Sequence, residues 1–404
     1  MNVWSLSWRY LWSRPLTTVL NLLLLTLGLA VMAFLLQMQD RLSHAFDRDL
    51  AGIDLVVGAK GSPMQLILAG VFHIDAPPGN IPLAEAQALA SHPQVAEWMP
   101  LSLGDSFQGY RIVGTEHSYP RHYGAALAQG SWWAAPLQAV LGAQVARTTG
   151  LGLGAAFAGS HGLGAGGHAH AENPYRVTGV LAPCGCVLDR LVLTDTASVW
   201  KVHEDMYAGD APLDAEDRQV LVAERELTML LIRYNTPLAA ASFPRYVNSS
   251  TSMQAASPAA EISRLLAMVG VGTEVLRGLG AVLLLVAALS VFIALWGAVR
   301  ERRADLAMLR MLGTPAGKVV ALLLCESLWL ALLATLGGFL LAHGLTAVLG
   351  STWMVGDALA TTGWHWSPAQ AWVPLTAVGV ALVAAALPAL GAYRVDVMSL
   401  LQTR

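Results

Sequence analysis

One glycine-rich stretch carries several side chains that could bind a metal ion. It reads SHGLGAGGHAHAENPY over residues 160–175 and contains His161, His168, His170 and Glu172. Imidazole and carboxylate groups are good ligands for zinc or copper, although this spacing matches no rigid structural site. The segment from Gly159 to Gly167 has too many glycines for the interior of a helix or strand, so we predict that it forms a loop together with the histidine-rich stretch that follows. Zinc binding by these four residues is one hypothesis, and a solvated loop that binds no metal is the alternative.

The chain has three cysteines, Cys184, Cys186 and Cys325. A disulfide across a single intervening residue is strained. A structural bridge between Cys184 and Cys186 is therefore less favoured than a pair of metal ligands or two small buried residues. Cys325 lies in an apolar run and is most simply a small packing residue.

The remaining polar residues form no catalytic pattern. Ser160 and His161 are adjacent, but they lack the strand–turn–helix setting of an activated nucleophile. The carboxylates from Glu204 to Asp217 are typical of a solvated face. The phosphate-binding sequence G-x-x-x-x-G-K-[ST] occurs nowhere in the chain. We therefore predict that this chain is not an enzyme and that it binds no nucleotide itself.

The composition indicates that the chain is an integral membrane protein, whose helices would position these residues. Of 404 residues, 55% are hydrophobic and only 13% are charged, and the mean hydropathy is +0.52. A helix needs about 20 apolar residues to cross the bilayer core. Four stretches qualify, and they are 16–37, 273–299, 319–342 and 371–393.

The positive residues near these stretches predict the orientation, because Lys and Arg are retained on the cytoplasmic side. They precede the first span, separate the second from the third, and follow the fourth. Both termini are therefore predicted to be cytoplasmic. Residues 40–272 carry 21 acidic and 14 basic side chains, a net charge of −7, whereas the rest of the chain carries +4. This asymmetry excludes a nucleic-acid-binding surface.

The predicted fold is a membrane α-helical protein of four transmembrane helices, with a large α+β extracytoplasmic domain between helices 1 and 2. Short β-type runs occur at 110–113, 175–178, 190–193 and 230–234, and helices are predicted at 82–91 and 136–149. The predicted segments are an amphipathic N-terminal helix (1–15), span one with a stalk (16–50), the domain (51–256), a stalk with span two (257–299), a charged helix (300–315), span three (316–342), an outer loop (343–370), span four (371–393) and a tail (394–404).

The charged helix after span two has an unusual pattern, ALWGAVRERRADLAMLRMLGTP. Residues 304, 307, 308, 311 and 312 make one apolar stripe, while Leu306 and Leu309 lie on roughly the opposite face. Two apolar faces indicate a helix held between its own bundle and a partner. The alternative is a juxtamembrane helix that only orients span two. In span three, Glu326 is predicted to pair with an arginine of 300–310, because a lone carboxylate inside a bilayer is costly. A proton-linked role for Glu326 is the alternative.

This pattern resembles a known family. The segment VRERRADLAMLRMLGTPAGKVVALLLCESLWL, with Arg300 to Arg303, Leu306 to Leu312, Gly313 and Glu326, is similar to the signature of FtsX-like permeases, the membrane subunits of MacB-type ABC transporters. The chain end LPALGAYRVDVMSLLQTR and the start WSLSWRYLWSRPLTTVLNLLLL resemble the two ends of that family. Threonines stand at the Cys184–Cys186 turn in the family, which favours two small buried residues there.

The resemblance implies a multi-pass protein of the bacterial inner membrane that contacts membrane lipid. It pairs with a second copy of itself or a similar permease, and carries two copies of a cytoplasmic ABC ATPase that supply ATP and Mg. A periplasmic adaptor or lipoprotein is a further implied partner. The implied function is mechanotransmission that extracts or exports a hydrophobic or lipid-attached substrate. The alternatives are a non-transporting regulator of a periplasmic enzyme and a zinc-linked exporter or sensor. The implied coupling residues are Arg300, Glu301, Arg302, Arg303, Asp305, Leu306, Met308, Leu309, Arg310, Met311, Leu312 and Gly313.

Overall fold

The computed structural model describes residues 3–162, 172–208, 215–302, 308, 311, 313–352 and 366–393. The chain divides into two compact units. We call the first, Met1–Ser43 with Met268–Arg404, the membrane unit, and the second, His44–Ala267, the extramembrane domain.

The helices in chain order are α1 Val3–Leu11, α2 Pro15–Leu50, α3 Pro63–Gly70, α4 Leu83–Ala90, α5 Ser118–His122, α6 Ala143–Thr149, α7 Thr196–Ala208, α8 Ala215–Ala223, α9 Ala239–Ser250, α10 Pro258–Glu301, α11 Ala316–Thr352 and α12 Trp372–Tyr393, with 3₁₀ turns at Val187–Arg190 and Pro368–Ala371. The strands are β1 Leu55–Ala59, β2 Ile81–Pro82, β3 Val95–Phe107, β4 Tyr110–Thr115, β5 Leu127–Gly130, β6 Gln138–Leu141, β7 Ala156–Phe157, β8 Ser160–His161, β9 Tyr175–Leu181, β10 Val192–Asp195, β11 Glu226–Leu227, β12 Met229–Tyr234 and β13 Met253–Ala256.

Four helical stretches are long and apolar enough to cross a membrane. They are Pro15–Leu50, Pro258–Glu301, Ala316–Leu349 and Pro368–Tyr393. Each contains one of the four apolar runs that the sequence shows, and the large domain lies between the first and the second. The predicted fold class, four spans with an α+β domain between helices 1 and 2, is confirmed.

Small residues allow the helices of the membrane unit to approach closely. Gly337 and Gly338 of α11 face α2, where an added Cβ would lie 3.0 Å from Thr26 and 3.1 Å from Leu29. On α12, Ala377 is fully buried. In membranes, helix association depends on this kind of van der Waals contact, because lipid tails are as apolar as the side chains themselves.

The extramembrane domain is built on one mixed sheet of eleven strands. Its main strand order is β13-β1-β12-β3-β4-β10-β6-β9-β5, with β7 added beside β9 and β8 beside β3. Most pairs are antiparallel, but β10 runs parallel to β4 and β6 runs parallel to β9. A second sheet consists of β11 and β2. The chain enters the sheet through β1 and leaves it through β13, and these two strands are hydrogen-bonded neighbours.

Alternating side chains of the sheet build cores on both of its faces. Val56 of β1 belongs to one cluster, together with Met99 and Leu231. Leu55 and Val57 belong to another cluster, which packs against α9. This alternation follows from the two-residue period of a strand.

The predicted helix over 136–149 is wrong in its first half. Gln138–Leu141 is strand β6, which pairs with β10 and β9, and the helix begins only at Ala143. Gly142 lies at the junction, where an added Cβ would collide with the carbonyl oxygens of Leu188 and Asp189. Tertiary pairing of this short apolar run therefore overrides its local helical pattern.

Candidate functional site

Arg302 organises a cluster of polar groups in the membrane unit. Its Nη1 donates to Glu326 Oε1 at 3.3 Å, and its Nη2 donates to Ser13 Oγ at 2.6 Å and to the Tyr10 carbonyl at 3.3 Å. The guanidinium carbon also lies 4.3 Å from the centre of the Tyr10 ring. We call Tyr10, Ser13, Arg302 and Glu326 the polar junction. A carboxylate as buried as Glu326, which is 4% exposed, needs such a partner.

The N-terminal helix α1 packs against α11 next to this junction. The rings of Trp4 and Trp8 lie 5.6 Å and 5.0 Å from the ring of Trp329, both edge to face. Arg14, just before α2, forms an ion pair with Glu301 at the end of α10. The start of the chain, the end of α10 and the first turns of α11 are therefore held together by specific contacts.

The structure describes part of the predicted coupling segment. Arg300 and Glu301 are the last residues of α10 and Arg302 follows directly, and the Arg300 guanidinium lies 5.9 Å from the ring centre of Trp296. Met308 and Met311, which belong to the predicted apolar stripe, are 58% and 55% exposed. Gly313 has a φ of +88°, which suits glycine after a helix. The predicted residues that lie outside the described part of the chain are Arg303, Asp305, Leu306, Leu309, Arg310 and Leu312.

The extramembrane domain contains a second group of polar side chains, in which two histidines lie next to one aspartate. Asp105 lies on β3, His161 on the short strand β8, and His203 on α7. His161 Nδ1 is 3.0 Å from Asp105 Oδ1. The rings of His161 and His203 are stacked, with centres 5.3 Å apart and planes 17° apart. We call these three residues the histidine cluster.

The histidine cluster contains only one of the residues predicted to bind metal. His161 is present, whereas Glu172 lies elsewhere and is exposed, and His168 and His170 lie outside the described residues. Asp105 and His203 were not predicted, because they are 98 positions apart and only strand pairing and helix packing bring them together. One sequence feature could have identified Asp105. Apolar residues alternate along this β-type run, and the alternation places the acidic side chain of Asp105 on the inward face.

His203 also borders a cleft of about 800 Å³ in the same domain. One wall carries Arg225, whose Nε lies 2.8 Å from Glu204 Oε1 and whose guanidinium carbon lies 4.8 Å from the ring centre of Trp200. The cleft therefore offers both charged and aromatic groups beside the histidine cluster.

The prediction of two separate cysteines at 184 and 186 is wrong, because they form a disulfide. Gly185 between them has a φ of +65°, a conformation that glycine adopts easily, and it allows the chain to reverse. The two oxygens of Asp189 accept hydrogen bonds from the Cys184 and Gly185 amides at 3.0 Å and 2.8 Å. Cys325 remains a free thiol.

Two family models match this chain. The model of the FtsX-like permease C-terminal region matches residues 277–397, and the model of the MacB-like periplasmic core domain matches residues 18–243. The chain belongs to the FtsX/MacB-like permeases. The family is the permease component of ABC transporters, whose ATPase is a separate subunit, and this permease is therefore a membrane protein with a periplasmic domain.

Two solved structures are also similar to this permease. The periplasmic region of MacB from Actinobacillus actinomycetemcomitans is 12% identical, with a TM-score of 0.35, over 54% of this chain and 95% of that one. The extracellular domain of the noncanonic ABC-type transporter YknZ from Gram-positive bacteria is 10% identical, with a TM-score of 0.30, over 50% of this chain and 98% of that one. A comparison with curated proteins finds no match.

Proposed function

We propose that this permease converts ATP hydrolysis by a separate cytoplasmic ATPase into movement of its periplasmic domain. The movement extracts or exports a hydrophobic or lipid-attached substrate. The permease acts in the bacterial inner membrane with both termini in the cytoplasm, as a pair with a second copy of itself or a similar subunit. Two ATPase copies bind the segment 300–313 and supply ATP and Mg. A periplasmic adaptor or lipoprotein is a further partner.

The polar junction is the observation that supports this proposal most. Arg302 lies near the start of the coupling segment. It contacts Tyr10 of α1, Ser13 of the α1–α2 turn and Glu326 of α11. A push on the segment would thus act on several helices at once rather than on a single flexible linker. This is a rigid-body transition in which packed elements move together.

The lengths of α2 and α10 support transmission over a distance. They contain 36 and 44 residues, which correspond to about 54 Å and 66 Å of helix. The bilayer core is only about 30 Å thick. Each helix is therefore continuous well beyond the length that a span requires, and a continuous helix carries displacement along its axis.

Replacing Met308 and Met311 by Asp tests the coupling. Both side chains are exposed, so the double variant should insert and fold normally, while two charges remove the apolar surface that the ATPase would cover. ATP hydrolysis by the co-expressed ATPase should fall to the rate of the ATPase alone. The matched control is Leu238→Asp, an 81% exposed apolar residue of the periplasmic domain, which should leave hydrolysis unchanged. Normal stimulation in the double variant would refute coupling through this segment.

A second measurement distinguishes a transporter from the two alternative functions, a regulator of a periplasmic enzyme and a zinc-linked exporter or sensor. Reconstituted permease and ATPase should release a fluorescent lipid-attached probe from proteoliposomes only when ATP is present. A regulator of a periplasmic enzyme would show coupled hydrolysis without release of the probe. A zinc-linked exporter or sensor would make hydrolysis depend on zinc.

A further inference from the structure

We propose that Asp105, His161 and His203 form a binding site for a divalent transition-metal ion, with zinc as the best-fitting class. Two imidazoles and one carboxylate are a ligand set that zinc uses with three protein ligands, the fourth position being filled by water or another ligand. The same set is poor for Mg²⁺ or Ca²⁺, which prefer oxygen ligands. This site is independent of the coupling mechanism proposed above.

The distances between the ligand atoms suit one ion. One ligand atom from each of the three residues lies within 4.8 Å of the other two. In a tetrahedral zinc site with bonds of about 2.0–2.1 Å, ligand atoms are about 3.3 Å apart. The pair formed by Asp105 and His161 is already at 3.0 Å. The ligand atom of His203 completes the group within the same 4.8 Å limit.

The sheet holds two of the ligands in register. Asp105 and His161 are directly opposite each other in the antiparallel pair of β3 and β8. The pairing is extended by Gly162, whose amide donates to the Gly104 carbonyl at 3.0 Å and whose carbonyl accepts from Ser106 Oγ. A site built on a paired strand is more rigid than one on a free loop, and less conformational freedom is lost when the metal binds.

Helix α7 supplies the third ligand from a fixed position. Its first turn is capped by Asp195 Oδ1, which accepts from the Ala197 amide at 2.8 Å. Val199 and Val202 of the same helix are buried in the domain. The imidazole of His203 lies beside the sheet, because its Nε2 is 3.8 Å from the position of an added Cβ at Gly104 of β3.

The three residues combine a buried negative charge with a route by which an ion can reach it. The Asp105 side chain is 2% exposed and the His161 side chain is 39% exposed. His203 borders the cleft of about 800 Å³. An ion could therefore enter from the cleft and find a buried carboxylate, and the cleft has room for a water molecule as the fourth ligand.

Metal binding is tested on the full-length permease in detergent after treatment with a chelator. Zinc would be titrated in competition with a fluorescent chelator, and Co²⁺ would be added as a spectroscopic probe of tetrahedral geometry. We expect one metal ion per chain and the visible absorption of tetrahedral Co²⁺. Asp105→Asn and His203→Gln should each weaken zinc binding by more than about 10-fold. Because His203 is only partly buried, its variant should fold normally, and an unchanged thermal transition would verify this.

Two control variants distinguish this site from other histidines. His92→Gln alters a histidine of the same domain that packs on Phe243 and Tyr246, and it should leave the affinity unchanged. His168→Ala with His170→Ala removes the loop imidazoles and should also leave it unchanged. Loss of binding in this loop variant with retention in His203→Gln would overturn the proposal in favour of the loop. An absence of binding at micromolar zinc would overturn it as well.

Discussion

Arg302 illustrates how many groups a single side chain can hold together. Its planar guanidinium donates to a carboxylate, a hydroxyl and a backbone carbonyl, and it stacks on an aromatic ring. Lysine has the same charge but a single point-like ammonium, so it could not satisfy this fixed set of acceptors. The sequence predicted an arginine partner for Glu326, and the structure shows which arginine it is.

His73 provides a second example, in which burial controls protonation. Its Nε2 is 2.9 Å from Tyr119 Oη, and both side chains are buried. Burial, followed by the positive charges of Arg111 and Arg190, lowers the pKa of His73 well below its ordinary value. The unfolded chain therefore binds a proton at a higher pH than the folded chain does. The stability that His73 provides is complete above about pH 6.5 and is lost as the pH falls toward the depressed pKa.

We expect His73→Asn to flatten the loss of stability in acid. Asparagine accepts the positive φ of 56° at this position and offers an amide to Tyr119, but it does not titrate. The melting temperature of the purified permease would be measured between about pH 7.5 and 5, where each group of this kind contributes up to about 1.4 kcal/mol per pH unit. Tyr119→Phe should keep the acid slope, because burial is the main cause of the shift. An identical slope in His73→Asn and the unmodified protein would contradict this explanation.

At the scale of elements, the junction between β6 and α6 shows how backbone contacts restrict sequence. Gly142 ends the strand and precedes the helix, and its Cα faces the carbonyl oxygens of Leu188 and Asp189. Those carbonyls belong to the 3₁₀ turn that follows the disulfide. Backbone atoms cannot rotate away as a side chain can, so this contact fixes the distance between two elements.

Gly142→Ala should therefore destabilise the domain. Overpacking of this kind costs about 1–3 kcal/mol or more, and the melting temperature of the purified permease should fall. Gly152→Ala is the matched control, since no atom lies within 4 Å of an added Cβ there and no left-handed conformation is required. It should leave stability unchanged or slightly higher. Equal melting temperatures for the two variants would refute the contact as the cause.

Secondary-structure elements differ in how far the local sequence determines them. The four spans could be predicted because about 20 apolar residues are a strong local signal. Strands β4, β9 and β12 could be predicted from their apolar runs. Strand β6 could not, because its identity depends on neighbours far away in the chain. The histidine cluster could not be predicted for the same reason, because only His161 lies in the histidine-rich stretch. The disulfide could not be predicted because it depends on the conformation of Gly185.

For the molecule as a whole, the exposed face of α10 is a candidate surface for the proposed pairing of two permeases. Large apolar side chains recur along it at spacings of three, four and seven residues, the pattern of a helix that packs on another helix. They are Val271, Val275, Val282, Leu285, Leu289 and Ile293, each at least 54% exposed. Gly278 lies within this stripe and has no atom within 4 Å of an added Cβ. A second copy of α10 could approach closely at that point.

Cysteine crosslinking tests the pairing through α10. In a Cys325→Ser background, Val282→Cys should form a disulfide between two permease chains in native membranes, detected as a dimer on non-reducing gels. Leu340→Cys is the matched control, because this residue of α11 is 66% exposed and lies outside the stripe. Dimers from Leu340→Cys, with none from Val282→Cys, would exclude this arrangement.

The pairing of the first and last strands of the domain has a consequence for how the permease could diversify. Val56 of β1 lies opposite Ala256 of β13, so the chain enters and leaves the sheet of the domain at points about 5 Å apart. An inserted domain with adjacent ends can be exchanged without redesigning its host. Another folded domain whose two ends lie side by side could therefore replace this one between the first and second spans.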